Sequence, residues 1–100
     1  MIIANDTLTV ETRGDGDMID ITDRLALLLQ KHKLKAGQML VFVPGSTASL
    51  TTIEFEPGLK RDFIPFGQGR LLLGTWQQVV LIDFDNRPRE RNLVVQVSGE

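Results

Sequence analysis

The sequence predicts an α+β fold, a mostly antiparallel sheet capped by one main helix. Two observations carry that prediction. Apolar residues recur at helical spacing in one stretch, through Ile21, Leu25, Leu28 and Leu29. Elsewhere, short runs rich in Val, Ile, Thr and Phe alternate with Gly, Pro, Asn and Asp, the punctuation of strands and turns. The 100 residues read as a single domain spanning 1–100.

Residues 7–12 alternate apolar and polar side chains and predict a strand. Arg13-Gly14-Asp15-Gly16-Asp17 is a turn. Its acidic spacing lacks the later glutamate that a calcium loop requires. Residues 18–21 form a second short strand. Thr22 suits the helix N-cap, and Asp23 complements the dipole behind it. Lys31, Lys33 and Lys35 gather at the far end of the helix, and Gly37 is placed to stop it. Residues 39–43 are nearly all apolar, as expected of a strand buried on both faces. Further strands are expected at 49–54, 70–73, 77–84 and 92–98. The stretch 83–89 between the last two reads as a hairpin-like connection.

Composition narrows the function classes. Eleven basic and thirteen acidic side chains leave a net charge of −2, with no electrostatic case for nucleic-acid binding. No apolar run approaches the length of a membrane span, and the N-terminus has no basic and apolar pattern of a secretory leader. The absence of cysteine is compatible with a reducing compartment, and the expected location is cytoplasmic.

Two segments carry chemistry. Pro44-Gly45-Ser46-Thr47-Ala48-Ser49-Leu50-Thr51 is a hydroxyl-rich turn after an apolar strand, and Ser46, Thr47 and Thr51 are candidate donors to a phosphate. It lacks the Gly-Lys-Ser/Thr ending of a Walker loop. Gly74-Thr75-Trp76-Gln77-Gln78 joins the only tryptophan to two amides, which suits a pocket wall: Trp76 stacks on a ring, and Thr75, Gln77 and Gln78 read its polar edges. Arg87 and Arg89, with Arg91, alternate along an extended stretch and supply guanidinium groups for an anion. Asp83 and Asp85 stand close enough in sequence to pair with them. Glu54 and Glu56 share a strand face, and Glu54 is the candidate general base or metal ligand. The single histidine, His32, falls among lysines at the helix end and reads as a solvated residue there. One histidine and no cysteine cannot build a zinc site. The remaining oxygen donors suit Mg2+, and no metal-ligand set is assigned.

Taken together, Val41 through Glu54 and Gly69 through Leu81 resemble the YjbQ family, as do Asp20-Ile21-Thr22-Asp23 and Arg87-Pro88-Arg89-Glu90-Arg91. The resemblance runs from about Leu8 to Gly99. It implies a β pseudobarrel capped by a helix and assembled as a homotrimer. Members are commonly labelled secondary thiamine-phosphate synthase enzymes. The resemblance therefore implies a transferase joining a pyrimidine pyrophosphate to a thiazole phosphate, with a phosphorylated small molecule as ligand and Glu54 at a family acidic position. This chain departs from the pattern in two places. The His-bearing central segment of the family is absent between Asp62 and Phe63, and a common family histidine before the small hydroxyl pair is Gly45 here. The alternative expectation is a non-catalytic trimeric binding or assembly module.

Overall fold

The computed structural model describes residues 1–45, 47–52, 61–74 and 77–100. Along them run β1 (Ile2–Thr12), β2 (Asp17–Asp20), α1 (Thr22–His32), β3 (Gly37–Phe42), β4 (Ala48–Thr52), β5 (Arg61–Gly67), β6 (Arg70–Leu71), β7 (Val79–Asp83) and β8 (Arg89–Gly99). Every strand pair is antiparallel. One sheet has the order β1-β8-β3-β5-β6 and the other β2-β7-β4. The sheets curl into a half-barrel with the helix, which is the predicted α+β class.

Period-two alternation sets the core. Leu8 and Val10 of β1, Met39 and Val41 of β3, Val79 and Leu81 of β7, and Leu93, Val95 and Val97 of β8 are all buried, and Leu25 and Leu29 of α1 join them. Burying one such side chain contributes roughly 1.5–3 kcal/mol. The opposite face of β8 and β3 is far more open, with Val94 and Phe42 exposed and Leu40 half-buried. The expectation that 39–43 is buried on both faces is thus met only on one.

Both ends of α1 differ from the sequence reading. Ile21, not Thr22, occupies the N-cap position and offers no side-chain cap. The cap comes from Asp20, whose Oδ1 accepts the Thr22 N–H at 2.9 Å. The Thr22 hydroxyl is used elsewhere, accepting the Val79 N–H at 2.8 Å and so stitching the helix start to β7. The helix ends at Lys33, which takes the left-handed conformation (φ 57°). Gly37 instead begins β3. His32 is not solvated: its side chain is 19% exposed, and Nε2 lies 3.3 Å from Asp6 Oδ2, beside Lys31 Nζ at 3.0 Å. These contacts tie the helix end to β1, and the Lys31 hydrogen bond is the main cause holding the Asp6 carboxyl below its usual range.

The strand β5 was not expected, because Arg61, Asp62 and Pro65 break its apolar pattern. Pro65 is tolerated for a geometric reason. Its carbonyl accepts the Leu72 N–H at 2.9 Å, on the side away from β3. Its missing N–H faces the same way, so the β3–β5 ladder loses nothing. The ladder is also unbroken across the point where the family's extra segment would enter: Val41 pairs with Asp62 and Leu40 with Phe63. The chain passes that point in regular strand geometry.

The stretch 83–89 is not a hairpin. Its flanking strands lie in different sheets, so it carries the chain from one layer of the half-barrel to the other. The Arg13–Asp17 turn packs onto it, with the Asp15 N–H donating to the Asp85 carbonyl at 2.6 Å and the Gly16 N–H to the Asp83 carbonyl at 2.7 Å.

Candidate functional site

At one end of the half-barrel the inward rows turn from apolar to polar: Leu8 and Val10 of β1 are followed by Thr12, Val79 and Leu81 of β7 by Asp83, and Leu93 of β8 is preceded by Arg91 and Arg89. Where the two sheets converge, the core is thus closed by a polar plug. Asp83 is fully buried, and the Arg91 side chain is 11% exposed. Their pairing is side-on and bidentate, with Arg91 Nε donating to Asp83 Oδ2 at 2.9 Å and Nη2 to Oδ1 at 3.0 Å. The Thr12 hydroxyl also donates to Oδ2, and the Asp85 N–H donates to Oδ1 at 2.9 Å. A carboxylate has about four lone-pair sites, and these four donors fill them. Asp83 therefore has no free acceptor for a metal or a substrate proton. The two Arg91 hydrogen bonds are the main cause holding its carboxyl down at about 2, and the same contacts raise the Arg91 guanidinium.

Held on one edge, Arg91 presents the other to the hydroxyl turn. Nη2 donates to Thr47 Oγ1 at 2.7 Å. Nη1 lies beside Gly45, where an added methyl would sit 3.2 Å from it. Gly45 also has φ +111°, a conformation that residues with side chains rarely adopt. The Thr47 hydroxyl donates to Asp85 Oδ2 at 3.3 Å, and Arg89 Nε donates to the same oxygen at 2.8 Å. Arg89 is the chief cause of the lowered Asp85 pKa. Arg89 also lines an open surface depression of about 250 Å3, together with Glu11, Thr12, Pro88 and Glu90.

The structure gathers some of the predicted site residues and separates others. Thr47 and Arg89 meet in the plug. Arg87 precedes β8, is exposed, and makes no ion pair among the described residues. Thr51 is buried on the face of β4 away from the core, in line with Ser49 and across from Val80. Gln77 and Gln78 lie just before β7, whereas Thr47 bonds to Phe84 just after it, its carbonyl accepting that N–H at 2.6 Å. The five residues of β7, six residue steps, separate these positions by roughly 20 Å at 3.3 Å per step. Within one chain, the amides and the hydroxyl turn thus stand at opposite ends of the three-stranded sheet. The Gln77 side chain accepts the Gly74 N–H at 3.0 Å. Ser46, Glu54, Thr75 and Trp76 lie outside the described residues. Among the described residues, no three His, Cys, Asp or Glu side chains converge as a metal site would need.

Sequence reasoning grouped Arg91 with Arg87 and Arg89 as anion donors and set Asp83 and Asp85 beside them, but it did not single out Arg91 over Arg87, and it missed Thr12. A signal was present: Asp-x-Asp at 83–85 and Arg-x-Arg at 89–91 are complementary, equally spaced, and separated by a turn. On extended chain each pair shares a face.

Comparison with known proteins bears on the fold and the family. The sequence profile of the family described as UPF0047 protein YjbQ-like matches residues 6–66 and 61–100, in two pieces that meet within β5. The UPF0047 protein YugU of Bacillus subtilis is 27% identical over 130 aligned positions, covering 93% of this chain and 98% of its own. More than a quarter of that span has no counterpart here, as an internal deletion requires. A UPF0047 protein of Synechocystis is 51% identical over 39 residues, which are 39% of this chain and 26% of that protein. Among solved structures, a YbjQ-like protein of unknown function from Sulfolobus solfataricus superposes with a TM-score of 0.87 at 25% identity, covering 99% of each chain. A hypothetical protein from Aeropyrum pernix gives 0.86 at 24% identity over 97% of this chain and 99% of its own. With its profile matched almost end to end and its half-barrel shared, this chain belongs to the YjbQ-like UPF0047 family, in a form that lacks an internal segment.

Proposed function

We propose that this chain binds a phosphorylated small molecule at the polar plug. One observation carries the reading: Asp83 fixes Arg91 side-on, so that its remaining edge meets Gly45 and the Thr47 hydroxyl. A guanidinium held on one edge loses little freedom when the other edge takes an anion, and a fixed fork suits a phosphoryl group. The thiamine-phosphate-synthase-type transfer implied by the family resemblance is the second reading. It is supported by the resemblance of Val41 to Glu54 and Gly69 to Leu81 to the family whose members carry that label. Glu54 would then serve as the general base, with Mg2+ and arginine stabilising the pyrophosphate that leaves. Both readings need a phosphorylated ligand. Isothermal titration with thiazole phosphate is expected to show saturable binding, and its absence rejects both. Adding the pyrimidine pyrophosphate and Mg2+ separates them, since only the transferase forms a product.

Assembly as a homotrimer belongs to the same reading. The outward face of the five-stranded sheet supports it. Across β1, β8 and β3 this face presents Thr7, Val94 and Phe42, then Asn5, Gln96 and Leu40, then Ile3, Ser98 and Gln38, with no charge in any of the three rows. Depletion of charge is the compositional mark of an interface core. Assembly would also let the amide end of one protomer approach the hydroxyl turn of the next. Light scattering is expected to give three times the 11.2 kDa chain mass, and a monomer in dilute solution refutes the assembly.

A further inference from the structure

We propose that Asp85 is a built-in stand-in for the ligand: its carboxylate occupies the anion seat, and a phosphoryl group binds by displacing it. The inference rests on the phosphate site argued above. The two aspartates of the plug are not equivalent. Asp83 is sealed from solvent and receives four donors at both oxygens. Asp85 receives side-chain donors at Oδ2, from Arg89 Nε at 2.8 Å and the Thr47 hydroxyl at 3.3 Å, with Arg91 Nη2 more distant at 3.9 Å.

Two guanidinium groups and a hydroxyl thus converge on one anionic oxygen. They come from β8 and from the turn before β4, segments remote in sequence. That is the donor set a phosphate oxygen takes, and phosphate brings three acceptor oxygens and a larger charge than a carboxylate. The Asn86 backbone N–H also holds this carboxylate, but with side-chain contacts graded from 2.8 to 3.9 Å and no bidentate partner Asp85 is the less firmly held of the two anions.

The exchange asks little of the fold. The Asp85 backbone is tied at both ends, its N–H to Asp83 Oδ1 at 2.9 Å and its carbonyl to the Asp15 N–H at 2.6 Å. Only its side chain has to turn away. Arg89 is 39% exposed and borders the 250 Å3 depression, whereas the Asp85 side chain is 10% exposed, so Arg89 is the solvent-facing member of the seat. Arg91 stays on Asp83 throughout and supplies the fixed part of the seat.

The test is a titration of inorganic phosphate into the wild-type chain, Asp85→Asn and Asp85→Ser, with the fold of each checked by thermal melting. Both variants are expected to bind phosphate at least about tenfold more tightly than wild type, since a competing anion has been removed. Binding by the variants alone supports the proposal most directly. Equal or weaker binding by folded variants overturns the role of Asp85 while leaving the phosphate site standing. No binding by any of the three overturns the site and this inference together. The wild-type chain gives a second readout that needs no variant. On adding phosphate, the side-chain Nε–H resonance of Arg89 is expected to shift while that of Arg91 holds its position. An unmoved Arg89 signal during phosphate binding rejects displacement.

Discussion

Asp83→Ala is expected to lower stability by about 3 kcal/mol, because it leaves the Arg91 guanidinium buried without its counter-ion. At 11% exposure, Arg91 recovers little hydration in exchange. The substitution also strands the Thr12 hydroxyl and the Asp85 N–H, both donors to the lost carboxylate. For a domain of this size the melting temperature should fall by roughly 12–24 °C. Asp83→Asn should cost less, since an amide oxygen keeps part of the hydrogen bonding. Acid has the same effect by another route. The Asp83 carboxyl has its ordinary value of 3.8 lowered to about 2 in the folded chain. A depressed folded value means that the stabilisation is complete above about pH 4 and drains away as the pH falls through about 2. The shift corresponds to roughly 2 kcal/mol. Wild-type melting temperature should therefore drop between pH 4 and 2 more steeply than that of Asp83→Ala. Parallel pH profiles would show that the ion pair contributes nothing.

Gly37→Ala is expected to be comparably damaging for a steric reason. Gly37 pairs with Gly99 where β3 meets β8. A methyl there would lie 1.9 Å from the Ser98 carbonyl oxygen and 2.7 Å from the Gly99 Cα. Both neighbours are backbone, which cannot rotate aside, so the strands must separate at the end of the sheet. The expected cost is about 3 kcal/mol, at the upper end for overpacking. Gly16→Ala is the control. Gly16 has φ +81° but nothing within 4 Å of an added methyl, so only the conformational cost of about 1–2 kcal/mol applies. Similar melting temperatures for the two variants would remove close packing as the reason for glycine at 37.

Particular residues show what could be read from the chain and why. The α1 apolar stripe at Ile21, Leu25 and Leu29 depends on local periodicity, and all three are buried as that periodicity demands. The alternations at 7–12 and 92–98 likewise became the cores of β1 and β8. The helix stop was misplaced because Lys33 adopts a left-handed conformation that glycine would adopt more readily. That left Gly37 for a close strand crossing that no local signal reveals. The strand β5 was invisible because its pairing with β3, 19 to 29 positions away in sequence, outweighs the poor strand propensity of Arg61, Asp62 and Pro65.

The same division holds for the site. From the sequence alone came the α+β class, the family, the missing segment and the chemical types available: hydroxyls, amides, arginines and aspartates. Only the tertiary structure decided that Thr12, Thr47, Asp83, Asp85, Arg89 and Arg91 meet, and that Gln77 and Gln78 stand at the other end of their sheet. The reason is physical. Periodicity and turn chemistry act over a few residues and are written locally, whereas a charge network forms between strands brought side by side by the burial of their apolar neighbours.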